Sequence, residues 1–82
     1  MIYDCYIFRS NQDSIRSIHS TYEDKYITVM FINPKTFTGA KMRRHHNVYC
    51  DSNFLDDKEG KKILEMVIKP LTSFENSNFV FI

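Results

Sequence analysis

The alternation of apolar and polar positions predicts six strands and helices along the chain. "IYDCYIFR" (2–9) is dense in β-branched and aromatic residues and reads as a strand. In "SNQDSIRSIHSTYED", Ile15, Ile18 and Tyr22 recur at helical spacing behind a Ser10–Asp13 pair spaced as a capping box. This predicts a short amphipathic helix over 11–22. "KYITVMFIN" (25–33) is the clearest strand, and Pro34 stops it. "PKTFTGAKMRR" reads as a loop or the tip of a long hairpin, turning at Gly39, and "HHNVYCD" (45–51) as a third strand. "NFLDDKEGKKILEMVIKPLTSF" is a second helix. Asp56, Asp57 and Glu59 favour its N-terminal dipole, Ile63, Leu64, Met66, Val67 and Leu71 form a broad apolar stripe, and Pro70 ends or kinks it near Lys69. Gly60 weakens the start of that helix. "NFVFI" (78–82) closes the pattern as a strand.

The resulting order, β-α-β-β-α-β, is that of an α+β ferredoxin-like sandwich, the split βαβ arrangement. The expectation is one domain over 1–82, with a four-stranded antiparallel sheet in order 4-1-3-2 and both helices on one face. No linker, repeat or low-complexity segment interrupts it.

Side chains on a strand point alternately to its two faces. The more aliphatic set is assigned to the helix-covered core: Tyr3, Cys5 and Ile7, then Ile27, Val29 and Phe31, then His46, Val48 and Cys50, then Val80 and Ile82. The outward set is then Asp4, Tyr6 and Phe8, then Tyr26, Thr28, Met30 and Ile32, then His45, Asn47 and Tyr49, then Phe79 and Phe81. An open face carrying Tyr6, Phe8, Met30, Tyr49, Phe79 and Phe81 is too apolar to stay wet, and patches of that kind mark interaction surfaces. Lys35, Lys41, Arg43 and Arg44 would place a basic hairpin beside it.

Charge narrows the partner. The formal net charge is +1, whereas nucleic-acid binders carry a clear basic excess and mimics of DNA a strong acidic one. Any electrostatic partner must therefore read a local patch. Stacking of bases on Tyr6, Phe8 and Tyr49 is the alternative, as on RNA-recognition sheets, but "RRHHNVYC" lacks the glycines of that signature and has one aromatic where two or three are wanted.

The chemical motifs are weak. His45 and His46 are strand neighbours that point to opposite faces, and His19 stands alone, so no metal site is expected. Cys5 and Cys50 fall on the same face of neighbouring strands and read as buried reduced thiols rather than a redox pair. With the two glycines Gly39 and Gly60 far apart, no glycine-rich phosphate loop exists. Asp4 and Asp51 could meet at strand ends as a carboxylate pair, which leaves a small ribonuclease toxin as the least implausible enzyme. No cofactor is expected.

No apolar run reaches the length of a membrane span, and the start lacks the pattern of a secretory signal, so the chain is expected in the cytoplasm. Alanine occurs once, tryptophan is absent, and Ile, Asn, Lys, Phe and Tyr are frequent, a bias of AT-rich codons. The whole fits a non-enzymatic protein-binding module with the profile of a small phage-encoded inhibitor of a host enzyme or defence system, anti-CRISPR proteins among them. It would act through the aromatic face and the basic hairpin, on a protein partner or a second copy of itself.

Overall fold

The sheet is mainly parallel. The structure, a computed structural model, describes residues 2–10, 18–23, 26–37, 44–72 and 77–82, with backbone alone at 18–23. The strands are β1 (Asp4–Arg9), β2 (Ile18–Glu23), β3 (Ile27–Ile32), β4 (Asn47–Cys50) and β5 (Asn78–Phe81). They lie in the order β2-β3-β1-β4-β5. Strands β3, β1, β4 and β5 are all parallel, and β2 joins the edge antiparallel to β3.

This overturns the ferredoxin-like expectation. Four parallel strands replace the antiparallel sheet of order 4-1-3-2, and among the described residues one helical run, not two helices, packs on it. Residues 18–22, expected to end the first helix, are strand; 11–17 lie outside the described residues. The Ile and Tyr of this stretch suit a helix stripe, but Ile, Thr and Tyr also suit a strand, and pairing with β3 decides the outcome. Nor do β3 and β4 form a hairpin, because β1 lies between them.

The second helix is present, in modified form. Asp51 caps a 3₁₀ turn over Ser52–Leu55 by accepting from the Asn53 N–H. Asp57 then caps α1 (Lys58–Ile63), accepting from the Gly60 N–H at 2.8 Å. Glu59 sits in the first turn and Lys61 and Lys62 in the last, each favoured there by the helix dipole. The chain widens into a π turn over Leu64–Ile68, with the Lys69 N–H reaching the Leu64 carbonyl, and tightens to 3₁₀ at Lys69–Leu71. Pro70 cannot donate to the preceding turn, which accounts for the irregular end.

Phe54, Ile63, Leu64, Ile68 and Leu71 bury this helical run against Cys5, Ile7, Met30, Ile32, Val48 and Cys50 of the sheet. Met66, expected in the stripe, is exposed. The parallel register also corrects the face assignment. Met30 and Ile32 share the covered face with Ile7 and its neighbours, while Ile27, Val29 and Phe31 line up with Asp4, Tyr6 and Phe8 on the other. Phe79 and Phe81 line up with Val48 and Cys50 on the covered face, and Val80 with Tyr49 on the open one. Both faces of β3 are apolar, as is usual for parallel strands, so alternation within that strand carries no choice of side.

Candidate functional site

Three residue rows cross the face opposite the helix. The first is polar: Asn47 donates to Asp4 at 2.7 Å, and Asn78 donates to Asn47 at 3.0 Å. The second is Val29, Tyr6, Tyr49 and Val80. The third contains Phe31 and Phe8. Tyr6 and Tyr49 stack with ring centroids 4.7 Å apart and planes 16° from parallel. Phe8 and Phe31 stack at 5.4 Å and 30°. These four rings are partly exposed.

The Tyr6–Tyr49 separation is close to the spacing between adjacent strands, about 4.8 Å. The rings therefore face each other across the strands and stand on edge, with their rims turned outward. A base-stacking platform needs ring faces lying outward; edge-on rings instead offer apolar rims and hydroxyls, the contacts typical of tyrosine at protein interfaces.

The expected site residues divide. Tyr6, Phe8 and Tyr49 are together on this face, joined by Phe31, which the alternation argument had put in the core. Met30 is not on it: at 8% exposure it belongs to the core. Phe79 packs partly buried against the core and Phe81 is exposed beside it, their rings meeting edge to face at 5.1 Å. Lys35 sits exposed in the turn after β3, and Arg44 exposed ahead of β4. The strands being parallel, these two cations lie at opposite ends of the sheet and form no joint patch. Lys41 and Arg43 lie outside the described residues.

At the carboxyl end of β1 the chain switches sides, from β3 to β4, which is where open α/β sheets hold their ligands. Here that place is filled by Arg9. Its guanidinium donates to Asp57 through both terminal nitrogens, Nη1 at 3.0 Å and Nη2 at 2.6 Å, and to the Asn53 carbonyl through Nη1 at 3.0 Å. Its backbone N–H donates to Asp51 at 3.1 Å. The Arg9 hydrogen bonds, followed by that from the Gly60 N–H, hold the Asp57 carboxyl down at about 2. A Cβ on Gly60 would collide with the Phe54 carbonyl and the Arg9 guanidinium, so this close approach requires glycine. Sequence reasoning missed Arg9, although a cation ending an apolar strand on its core-facing parity is the signal that would have found it.

The chemical candidates do not assemble. Asp4 is at the amino end of β1 and Asp51 follows the carboxyl end of β4, so the proposed carboxylate pair is split between opposite ends of the sheet. His46 accepts from the Tyr3 N–H at 3.1 Å through Nδ1 and stacks on the Tyr3 ring, while His45 is buried. Among the described residues, no group of three His, Cys, Asp or Glu side chains is placed to hold a metal ion. Cys5 and Cys50 are free thiols, wholly buried on the covered face. Burial pushes both up to about 12, with the neighbouring Cys50 adding to Cys5 and Asp51 to Cys50. Among the described residues, no helix is long and apolar enough to cross a membrane.

No family model, curated protein or solved structure matches this chain.

Proposed function

We propose that the chain is a non-enzymatic protein-binding module whose contact surface is the aromatic face of the sheet. The observation that carries this reading is the pair of ring stacks, Tyr6–Tyr49 and Phe8–Phe31, side by side on the face opposite the helix. Aromatic residues with little surrounding charge are the composition of interface cores. The polar row Asp4–Asn47–Asn78 borders the patch and supplies a rim of hydrogen-bonding groups. The partner that suits this face is a folded protein presenting a flat apolar patch with donors on the side that meets Asp4.

Inhibition of a host enzyme or defence system is the specific form we give this role, on the strength of the AT-rich composition. Work in the cytoplasm is supported by the two buried thiols remaining free.

The test compares wild type with a Tyr6→Ser/Tyr49→Ser double variant and a Lys62→Glu control in capture from a low-GC bacterial lysate, followed by affinity measurement on the purified partner. The reading requires one partner, bound by wild type and control and weakened roughly thirtyfold or more in the double variant, as loss of an aromatic anchor costs about 2 kcal/mol or more. Equal affinity of all three proteins would remove the face from consideration. Binding of mixed short RNAs that weakens steeply with salt would replace the proposal with nucleic-acid recognition.

A further inference from the structure

The two edges of the sheet are built differently. On β2 the register against β3 shifts between Ser20 and Tyr22, a bulge, and the strand ends at Glu23. Bulges and charges are the usual protection of an edge strand against pairing with another chain. Strand β5 has neither. It pairs with β4 in unbroken register, and "SNFVFI" (77–82) contains no charge, proline or glycine. Val80, Phe81 and Ile82 are 47%, 41% and 51% exposed.

The backbone of β5 has a free side. The N–H groups of Asn78 and Ile82 point to β4, bonding the carbonyls of His46 at 2.7 Å and Cys50 at 2.8 Å. By alternation the N–H and C=O groups of Phe79 and Phe81 point away from β4, where no strand lies among the described residues.

We propose that two copies of this chain join β5 to β5, antiparallel, about a two-fold axis through Val80. This register follows from the free groups. An antiparallel hydrogen-bonded pair exchanges both N–H···O=C bonds between two facing residues. Placing Phe79 opposite the second copy's Phe81, and Phe81 opposite the second copy's Phe79, satisfies all four outward N–H and C=O groups of each chain. Val80 then faces the second copy's Val80 in the closer, non-hydrogen-bonded position. The two phenylalanines of each chain meet those of the other on the covered face, giving cross-strand aromatic pairs. The interface is self-complementary, as a two-fold contact must be. It involves the sheet edge rather than the aromatic face and stands whether or not that face binds a protein.

A cysteine at the axis tests the register. Facing residues of a non-hydrogen-bonded pair have Cα atoms about 4.5 Å apart, inside disulfide range. Under mild oxidation the full chain carrying Val80→Cys should give a linked dimer of twice the 9.8 kDa chain mass. Met66→Cys, exposed on the helix, should link far more slowly; the native thiols are buried and contribute little. Phe81→Pro removes an outward N–H without touching a bond to β4, an edge-strand setting that tolerates proline. Light scattering across a concentration series should show wild type approaching twice the chain mass and Phe81→Pro staying at the chain mass, with unchanged far-UV circular dichroism. Wild type at the chain mass throughout, or Val80→Cys linking no faster than Met66→Cys, would overturn the proposal.

Discussion

Arg9 and Asp57, 48 positions apart, meet in a two-point contact, Nη1 to Oδ1 at 3.0 Å and Nη2 to Oδ2 at 2.6 Å. The arginine side chain is 7% exposed and the aspartate 48%. The pair ties the carboxyl end of the central strand to the first turn of the helix, and so fixes how the helix lies across the sheet.

An acid dependence follows. The folded Asp57 carboxyl titrates at about 2, well below the ordinary value of about 4 for aspartate. A depressed carboxyl stabilises the fold fully above its unfolded pKa and loses that contribution as pH falls toward the folded one. Urea midpoints should therefore decline between about pH 4 and about pH 2. In Asp57→Asn the decline in that window should be shallower; an identical profile would show that the contact adds nothing.

Gly60→Ala should destabilise. In a helix interior this change is ordinarily favourable by up to about 1 kcal/mol. Here the added methyl group meets the Phe54 carbonyl and lies 2.6 Å from an Arg9 guanidinium nitrogen. The expected loss is about 1–3 kcal/mol, the usual scale of overpacking. Chemical denaturation gives the sign directly, and a stabilised variant would contradict the close approach.

Among the described residues, Phe54 is the largest wholly buried side chain, seated where the 3₁₀ turn meets the sheet. Phe54→Ala should cost about 3–5 kcal/mol, a large share of the roughly 4–12 kcal/mol available to a chain of this length. Its neighbour Leu55 is 43% exposed, and Leu55→Ala should cost far less. The two denaturation midpoints, measured side by side, check the burial of the turn.

The thiols of Cys5 and Cys50 should not react with an aromatic disulfide reagent until the protein unfolds, since both are buried and titrate at about 12. Their raised values also imply a basic limit. The neutral thiol is favoured in the fold, so its contribution is intact below the unfolded value of about 8.5 and fades as pH rises toward about 12. Rapid modification of the folded chain at neutral pH would contradict the burial.

Four of the five strands were legible in the sequence, because "YIFR", "ITVMFI", "NVYC" and "NFVF" each concentrate β-branched and aromatic residues between turn signals. Strand β2 was not. Its register shift at Ser20–Tyr22 breaks strict alternation, and the Ile15–Ile18–Tyr22 spacing left behind imitates a helix. That error propagated: with 18–22 read as helix rather than strand, the pattern matched an antiparallel fold. The choice of face failed for a different reason. In β3, Ile27, Val29 and Phe31 are no more apolar than Met30 and Ile32, so their sides are set by neighbours in β1 rather than by the strand itself. Tyr6, Phe8 and Tyr49 fell on the open face as expected, because the alternate positions Cys5, Ile7, Val48 and Cys50 of the same strands form the more aliphatic set. Core-facing parity could have flagged Arg9 itself, but its partner was not legible, since nothing local links it to Asp57 so far along the chain.

The middle position of β1 has a consequence for synthesis. Synthesised before both lateral neighbours, it must wait for them: Asp4 aligns with Ile27 on one flank and Asn47 on the other. At about 5–20 residues per second, this apolar segment spends seconds without its final pairing. The antiparallel β2–β3 pair joins strands close in sequence, so it can close before β4 and β5 are made, and β1 can complete that side of its pairing first.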